Sequence, residues 1–63
     1  MFKDNLKKLR KLNNCTQAEL AKELGVSNKT VSHWENNYSQ PDLDNLIKIK
    51  KILNVSYEDL LED

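Results

Sequence analysis

The sequence has few of the residues on which enzymes and disulfide-bonded proteins depend. Its 63 residues include one Cys, one His, one Gly and one Pro. One Cys cannot form an internal disulfide, and one Cys with one His cannot build a Cys₂His₂-type zinc site. The chain has no glycine-rich phosphate loop, and its single His has no nucleophile at a recognisable spacing. We therefore expect no cofactor, no metal and no enzymatic activity.

Long apolar runs are also missing. No stretch approaches the roughly 18–20 apolar residues of a membrane-spanning helix, and the first residues do not form a signal-peptide pattern. We expect a soluble, cytoplasmic protein with no membrane partner. A chain of this length allows one domain, residues 1–63, with a small core.

The charges balance overall but not along the chain. Ten Lys and Arg residues match ten Asp and Glu residues, so the net charge is zero. Residues 1–51 hold all ten basic residues and six acidic ones, a net charge of +4. The charged residues of 52–63 are all acidic, namely Glu58, Asp59, Glu62 and Asp63. Because the local field decides partner choice, one face can be basic although the whole chain is neutral.

Helical periodicity runs through the chain and predicts an all-α fold. Phe2, Leu6, Leu9 and Asn13 recur at spacings of four, three and four. The predicted helices are 2–13, 17–24, 28–36, 43–53 and a short fifth helix from Ser56 through Leu60 and Leu61. Turns this short leave no place for a sheet.

Residues at the predicted helix ends support these boundaries. The expected N-caps are Thr16, Ser27, Asp42 and Ser56. The spacings Thr16–Glu19 and Ser56–Asp59 predict two capping boxes. Left-handed residues are expected at the helix stops, which are Gly25, Asn36–Asn37 and Asn54. The initial Met and the complete fifth helix lead us to expect a whole small protein.

The second and third helices form the most informative unit. They are separated only by residues 25–27, so they must cross at a steep angle. Ala21 is small enough for the point where the backbones of the two helices approach each other. Val31 is a branched apolar residue that can fill the space between the crossing helices. These features predict a helix-turn-helix.

The outer side of the third helix carries short or medium polar side chains. They are Asn28, Lys29, Thr30, Ser32 and His33. A helix that only needed solubility would more often carry Glu, Arg and Ala, which are better helix formers. An Asn amide matches the N6/N7 edge of adenine, and a Lys ammonium matches the O6/N7 acceptors of guanine. This face therefore indicates contact with base edges in a major groove.

The stretch from Thr16 to Asn36, TQAELA…LGVS…VSHWEN, resembles the lambda-repressor-like helix-turn-helix family, also called the XRE or Cro/C1 type. Leu6, Leu9 and Arg10 resemble its first helix, and Pro41 to Leu61 its fourth and fifth. The resemblance implies a compact five-helix DNA-binding domain with the helix-turn-helix at helices two and three. It also implies a bacterial or phage transcription regulator, a repressor, that binds a palindromic operator as a homodimer.

The resemblance also implies roles for individual residues. Base readout is expected from Asn28, Lys29 and His33. Backbone or auxiliary DNA contacts are expected from Thr16, Gln17, Ser27, Thr30, Ser32, Asn36 and Tyr38. Arg10 and Glu35 match a charged pair that links the first helix to the end of the third.

A dimer interface is expected at the C-terminal end, because the small core cannot absorb all the apolar residues there. The expected interface residues are Ile52, Val55, Tyr57, Leu60 and Leu61. We thus expect two partners, a double-stranded DNA operator and a second copy of the chain, and no small-molecule ligand. Cys15 and Trp34 are expected in the core.

One alternative function stays open. The chain could be a protein-binding module on the same fold, such as an antitoxin or an anti-repressor. The neutral net charge and Lys50, a long cation where the family often has a small residue, favour this alternative.

Overall fold

The computed structural model describes residues 2–62, which form five α-helices and no β-strand. The helices are α1 (Phe2–Leu12), α2 (Gln17–Leu24), α3 (Asn28–Glu35), α4 (Leu43–Leu53) and α5 (Tyr57–Leu61). The predicted all-α class and helix order are confirmed. None of these helices combines the length and apolar character needed to cross a bilayer. Asp63, one of the C-terminal acidic residues, lies outside the described residues.

Two helices end one residue earlier than predicted. α1 ends at Leu12 and α3 ends at Glu35. The end of α1 is explained by Asn14, whose φ of 54° is left-handed and stops the helix. Asn13, which we expected on the apolar stripe of α1, is exposed in the turn. Its Nδ2 donates to the carbonyl of Leu9 at 3.0 Å and of Leu53 at 3.3 Å, so it links the ends of α1 and α4.

The N-caps of α2 to α5 are confirmed as predicted. At α2, the Thr16 hydroxyl accepts from the Glu19 N–H at 3.0 Å, and the Glu19 carboxylate accepts from the Thr16 N–H at 2.9 Å. The Thr16 backbone N–H thereby lowers the pKa of the Glu19 carboxyl. A second capping box joins Ser56 and Asp59 at 3.0 Å in both directions. Each box satisfies donors that a helix start leaves without partners.

Left-handed residues stop three helices where the sequence predicted them. The φ angles are 73° at Gly25, 63° at Asn37 and 55° at Asn54. A Cβ added at Gly25 would meet nothing within 4 Å. The glycine is therefore required by its backbone angle and not by close packing.

Every helix contributes one fully buried apolar side chain to a single core. These side chains are Leu6, Leu20, Val31, Ile49 and Leu60. Ala21, Leu24, Trp34 and Leu53 surround them. α1 packs against α3 and α5, and α2 packs against α3 and α4. The third helix is thus supported from behind by both preceding helices.

The five-residue α5 depends on α1. A helix this short is not stable alone. Leu60 buries its side chain in the core, and the Asn5 Nδ2 donates to the Leu60 carbonyl at 3.0 Å and to the Glu62 carbonyl. Asn5 therefore satisfies carbonyls that the end of α5 leaves open.

We expect Asn54→Ala to lower the free energy of unfolding by about 1 kcal/mol, because Ala pays a steric cost in the left-handed region. Asn54→Gly should be at least as stable as the wild type, since Gly adopts this φ freely. Urea unfolding followed by circular dichroism measures both.

Asn28→Ala is the matched control, because it makes the same change at an exposed helical position. We expect it to stay within about 0.5 kcal/mol of the wild type. Equal stabilities of Asn54→Ala and Asn54→Gly would contradict the role given to the backbone angle.

Candidate nucleic-acid interface

The turn between α2 and α3 is tight and fully hydrogen-bonded. The Gly25 N–H donates to the Lys22 carbonyl at 3.2 Å, and the Val26 N–H donates to the Ala21 carbonyl at 3.0 Å. These are the two bonds of a Schellman motif. The Ser27 hydroxyl then accepts from the Thr30 N–H at 3.1 Å and begins α3. One helix therefore ends and the next begins within three residues.

Packing between α2 and α3 determines which side of α3 faces outward. Ala21 on α2 and Val31 on α3 are buried in the core that the two packed helices share, and Trp34 is buried one turn further along α3. The opposite side of α3 carries the polar side chains singled out from the sequence. Asn28 and Lys29 are exposed, whereas Thr30, Ser32 and His33 are half-buried.

The polar side chains of α3 differ in whether they already have partners. The Thr30 hydroxyl lies 2.8 Å from the Ser27 hydroxyl. The Asn36 Nδ2 donates to the Ser32 carbonyl at 2.8 Å and lies 3.3 Å from its hydroxyl. Over residues 2–62, the Asn28 amide and the Lys29 ammonium make no hydrogen bond to a protein group. They are the side chains of α3 most available to a ligand.

A buried carboxylate joins the first three helices. The Arg10 Nε donates to the Glu35 Oε2 at 2.7 Å, and its Nη2 donates to the Glu35 Oε1 at 3.0 Å. The Gln17 Nε2 donates to the same Oε1 at 3.0 Å. Arg10 Nη1 also donates to the Cys15 carbonyl at 2.7 Å. The structure thus brings together Arg10 and Glu35, and adds Gln17, which the sequence did not place in this network.

Both members of the ion pair are charged at neutral pH. Burial alone would raise the pKa of the Glu35 carboxyl, but hydrogen bonds from Arg10 and Gln17 and the positive charge of Arg10 lower it overall. The hydrogen bond to Glu35 raises the pKa of Arg10. The Glu35 side chain is 2% exposed and the Arg10 side chain 9% exposed, so water screens the pair little.

The Gln17 geometry restricts how this residue can meet a ligand. One amide hydrogen is directed to Glu35, which leaves the other for an external acceptor. The backbone N–H groups of Gln17 and Ala18, in the first turn of α2, have no intrahelical acceptor. The start of α2 therefore presents several donors close together, a suitable arrangement for a phosphate oxygen.

Cys15 lies beside this network and is half-buried against the core. Burial raises the pKa of the Cys15 thiol, so the protonated and less reactive form is favoured. Over residues 2–62, no group of three His, Cys, Asp or Glu side chains is arranged to hold a metal ion.

The segment after α3 is exposed and continues the polar face. Asn36 and Tyr38 are exposed, and Tyr38 is 79% accessible to solvent. The Tyr38 ring meets the His33 ring edge to face, with the centroids 5.6 Å apart and the planes at 88°. At the other end of the face, Thr16 and Ser27 are both exposed N-cap residues.

The C-terminal residues expected at a dimer interface differ in their exposure to solvent. Leu61 and Tyr57 are 51% and 38% exposed, and Ile52 and Val55 are half-buried at the edge of the core. Leu60 is fully buried, so it has no surface for a partner, and its assignment to the interface is corrected. The cause is the packing of α5 on α1, which turns Leu60 inward and Leu61 outward.

Lys50, the long cation singled out in the sequence, lies next to this C-terminal surface. Its Nζ is 5.1 Å from the centroid of the Tyr57 ring. A cation at this distance is attracted to the ring face. The long side chain thus links the end of α4 to the start of α5.

Comparison with known proteins places the whole helical unit in one family. Residues 6–60 match the family model described as Helix-turn-helix. The uncharacterized HTH-type transcriptional regulator YqaE of Bacillus subtilis is 40% identical over 62 residues, which are 98% of this chain and 53% of that protein. An uncharacterized HTH-type transcriptional regulator of Methanocaldococcus jannaschii is 43% identical over 59 residues, 94% of this chain and 89% of that protein.

A phage-related relative carries a more specific name. It is the transcriptional repressor RstR of the cryptic phage CTXphi from Vibrio cholerae, 36% identical over 59 residues, 94% of this chain and 53% of that protein. Other relatives are named as a transcriptional activator and as antitoxins. The chain spans about half the length of YqaE and RstR and most of the length of the Methanocaldococcus relative.

We expect Glu35→Gln to lower the free energy of unfolding by about 3 kcal/mol at neutral pH, because it leaves Arg10 buried without its anion. The pKa of Glu35 is lower in the folded protein than in the unfolded chain, so its stabilising contribution is present above about pH 4.3 and is lost as the pH falls through the folded-state value. The difference between wild type and variant should therefore shrink in acid. Urea unfolding at neutral and acidic pH measures it.

Glu23→Gln is the control, because Glu23 is an exposed carboxylate on α2. It should change the free energy of unfolding by less than about 0.5 kcal/mol. A Glu35→Gln deficit of the same size at every pH would show that the ionised carboxylate is not the stabilising species.

Proposed function

Because this chain belongs to the helix-turn-helix family, we propose that it is a sequence-specific transcription regulator that places α3 in the major groove of duplex DNA. The observation that carries the proposal is the outer face of α3, where Asn28 and Lys29 are exposed and unpartnered over the described residues. In helix-turn-helix proteins the second helix of the motif enters the major groove with its N-terminal residues toward the bases. Proteins of this family are non-enzymatic, and the chain is accordingly not an enzyme.

Base readout is assigned to three side chains on α3. The Asn28 amide is suited to the N6/N7 edge of adenine, and the Lys29 ammonium to the O6/N7 acceptors of guanine. His33 follows one turn later on the same side of the helix and offers one donor and one acceptor when neutral. Val31 and Trp34, buried behind them, support the helix against the core.

Contacts to the DNA backbone are assigned to both ends of this face. At the start of α2, the second amide hydrogen of Gln17 and the free backbone N–H groups are suited to a phosphate oxygen. Auxiliary contacts are assigned to the exposed or half-buried polar side chains around α3. These are Thr16, Ser27, Thr30, Ser32, Asn36 and Tyr38.

A homodimer on a palindromic operator is the assembly that we propose. One helix-turn-helix makes few base contacts, whereas two copies read half-sites about 34 Å apart. Leu61 and Tyr57 provide exposed apolar surface at the C-terminal end, and Ile52 and Val55 lie at its edge. We propose that the dimer acts as a repressor in the cytoplasm, and the relatives named as repressors support this direction of control.

Lys29→Ala and Asn28→Ala should each relax base preference, because each removes a donor from the groove. The expected loss of discrimination is about 1–3 kcal/mol for each residue. The measurement is competition between the operator, recovered from a random duplex pool, and operators with single base-pair changes.

Lys22→Ala serves as the control, since it removes an exposed cation on α2 outside the assigned readout set. It should leave the order of preference among the duplexes unchanged. If base preference stays the same in both the Asn28 and Lys29 variants, these two residues do not distinguish bases.

Leu61→Lys should weaken the dimer, because it places a charge in the proposed apolar contact while the monomer core is untouched. Sedimentation equilibrium should show that dimers of Leu61→Lys dissociate at higher protein concentrations than dimers of the wild type, whereas Leu43→Lys should associate like the wild type. Leu43 is the matched control, because it is 66% exposed at the first residue of α4, the end of this helix away from Ile52. Identical association by the two variants would reject the C-terminal surface as the interface.

Relatives named as antitoxins favour a second candidate, in which the same fold binds a partner protein. The two candidates differ in their affinity for DNA. A complete lack of binding to random-sequence duplex DNA at low salt would favour the protein-binding role. A toxin-like reading frame beside the gene would support an antitoxin in particular.

A further inference from the structure

The chain reverses direction at the end of α3 in a way that returns Tyr38 to the helix. The Tyr38 N–H donates to the His33 carbonyl at 2.9 Å, and the Asn37 N–H donates to the Trp34 carbonyl at 3.4 Å. With Asn37 left-handed at a φ of 63°, these are the two bonds of a Schellman motif. In this motif the residue after the left-handed one commonly packs against the residue five positions earlier. Tyr38 and His33 occupy these two positions.

The ring contact between them does not serve the core. Tyr38 is 79% exposed, so its position adds little burial of apolar surface. The two rings nevertheless meet at 88° with their centroids 5.6 Å apart, an attractive edge-to-face geometry. An aromatic ring is thus placed beside an imidazole on the outer face of α3 and excludes part of the space into which that imidazole could rotate.

We propose that Tyr38 is a positioning residue that holds His33 in one side-chain conformation and so determines the base preference at the pair that His33 reads. This inference rests on the proposed function, because it requires α3 to face DNA bases. An imidazole must present its donor and acceptor in a defined direction to distinguish base edges. Restricting its rotation before binding reduces the entropy lost in the complex.

Of the three proposed readout residues, His33 is the one that the Tyr38 ring contacts. Asn28 and Lys29 are in the first turn of α3 and are exposed. His33 lies near the C-terminal end of the helix, where the Schellman turn brings Tyr38 to it. Loss of the Tyr38 ring should therefore alter preference at one base pair in each half-site, and not at the pairs read by Asn28 and Lys29.

The test compares Tyr38→Ala, Tyr38→Phe, His33→Ala and the double variant Tyr38→Ala/His33→Ala. Affinities are measured for the operator and for duplexes with each base pair changed singly. We expect Tyr38→Ala to reduce discrimination about 2- to 10-fold, the range expected for one edge-to-face pair, and only at the pair where His33→Ala reduces it. The double variant should lose no more discrimination there than His33→Ala alone.

Tyr38→Phe is the conservative variant that separates the ring from the hydroxyl. It keeps the aromatic contact, so it should retain the preference at the His33 pair whatever its overall affinity. Nuclear Overhauser contacts between the two rings in the free protein should be present in the wild type and in Tyr38→Phe. Their absence would overturn the proposal independently of any DNA.

The outcomes separate this inference from the function on which it rests. An equal loss of affinity for all duplexes in Tyr38→Ala would make Tyr38 a phosphate contact and overturn the positioning role alone. Losses of discrimination that add in the double variant would also overturn the positioning role. Unchanged base preference in His33→Ala would overturn it too. A wild-type protein that binds no duplex would overturn the proposed function and this inference together.

Discussion

The buried Glu35 carboxylate is the constraint on which the arrangement of the first three helices depends. Arg10 from α1 and Gln17 from α2 both donate to it, and Glu35 is itself the last residue of α3. A buried ion pair adds little net stability compared with apolar side chains of the same volume. We infer that its main contribution is geometric, because three donors meet one carboxylate only when the three helices take the observed positions.

This constraint is linked to the exposed face of α3. Gly25 and Ser27, in the turn between α2 and α3, set the direction in which α3 begins. Val31 and Trp34 are buried and support α3 against the core. Glu35 holds the last turn of α3. The side chains of Asn28 and Lys29 are then exposed on a helix that is held at its start, along its buried side and at its last turn. A neutral net charge is compatible with phosphate binding, because the charged side chains of residues 52–63 are all acidic and the basic ones precede them.

The sequence predicted the features that depend on neighbouring residues, and it missed those that join distant ones. The caps at Thr16, Ser27 and Ser56 were predictable because capping is a relation between residues three apart. Asn5 and Asn13 were not, since their amides bond to carbonyls 55 and 40 residues away. In the candidate site, the polar face of α3 followed from periodicity, whereas the third donor to Glu35 did not.

The sequence also could not show which of two adjacent apolar residues is buried. Leu60 and Leu61 have the same side chain, and both were assigned to the C-terminal surface. Only the packing of α5 on α1 shows that Leu60 is buried and Leu61 is not. In the same way, Leu43 fits the apolar stripe of α4, yet as the first residue of that helix it is 66% exposed.

The most direct test that α3 contacts DNA bases is a nuclear magnetic resonance titration of the isotope-labelled protein with a duplex selected from a random pool. We expect the largest chemical-shift changes, and the intermolecular contacts to base protons, on the α3 face and at the start of α2. Changes confined to other surfaces, with the α3 side chains unaffected, would contradict it.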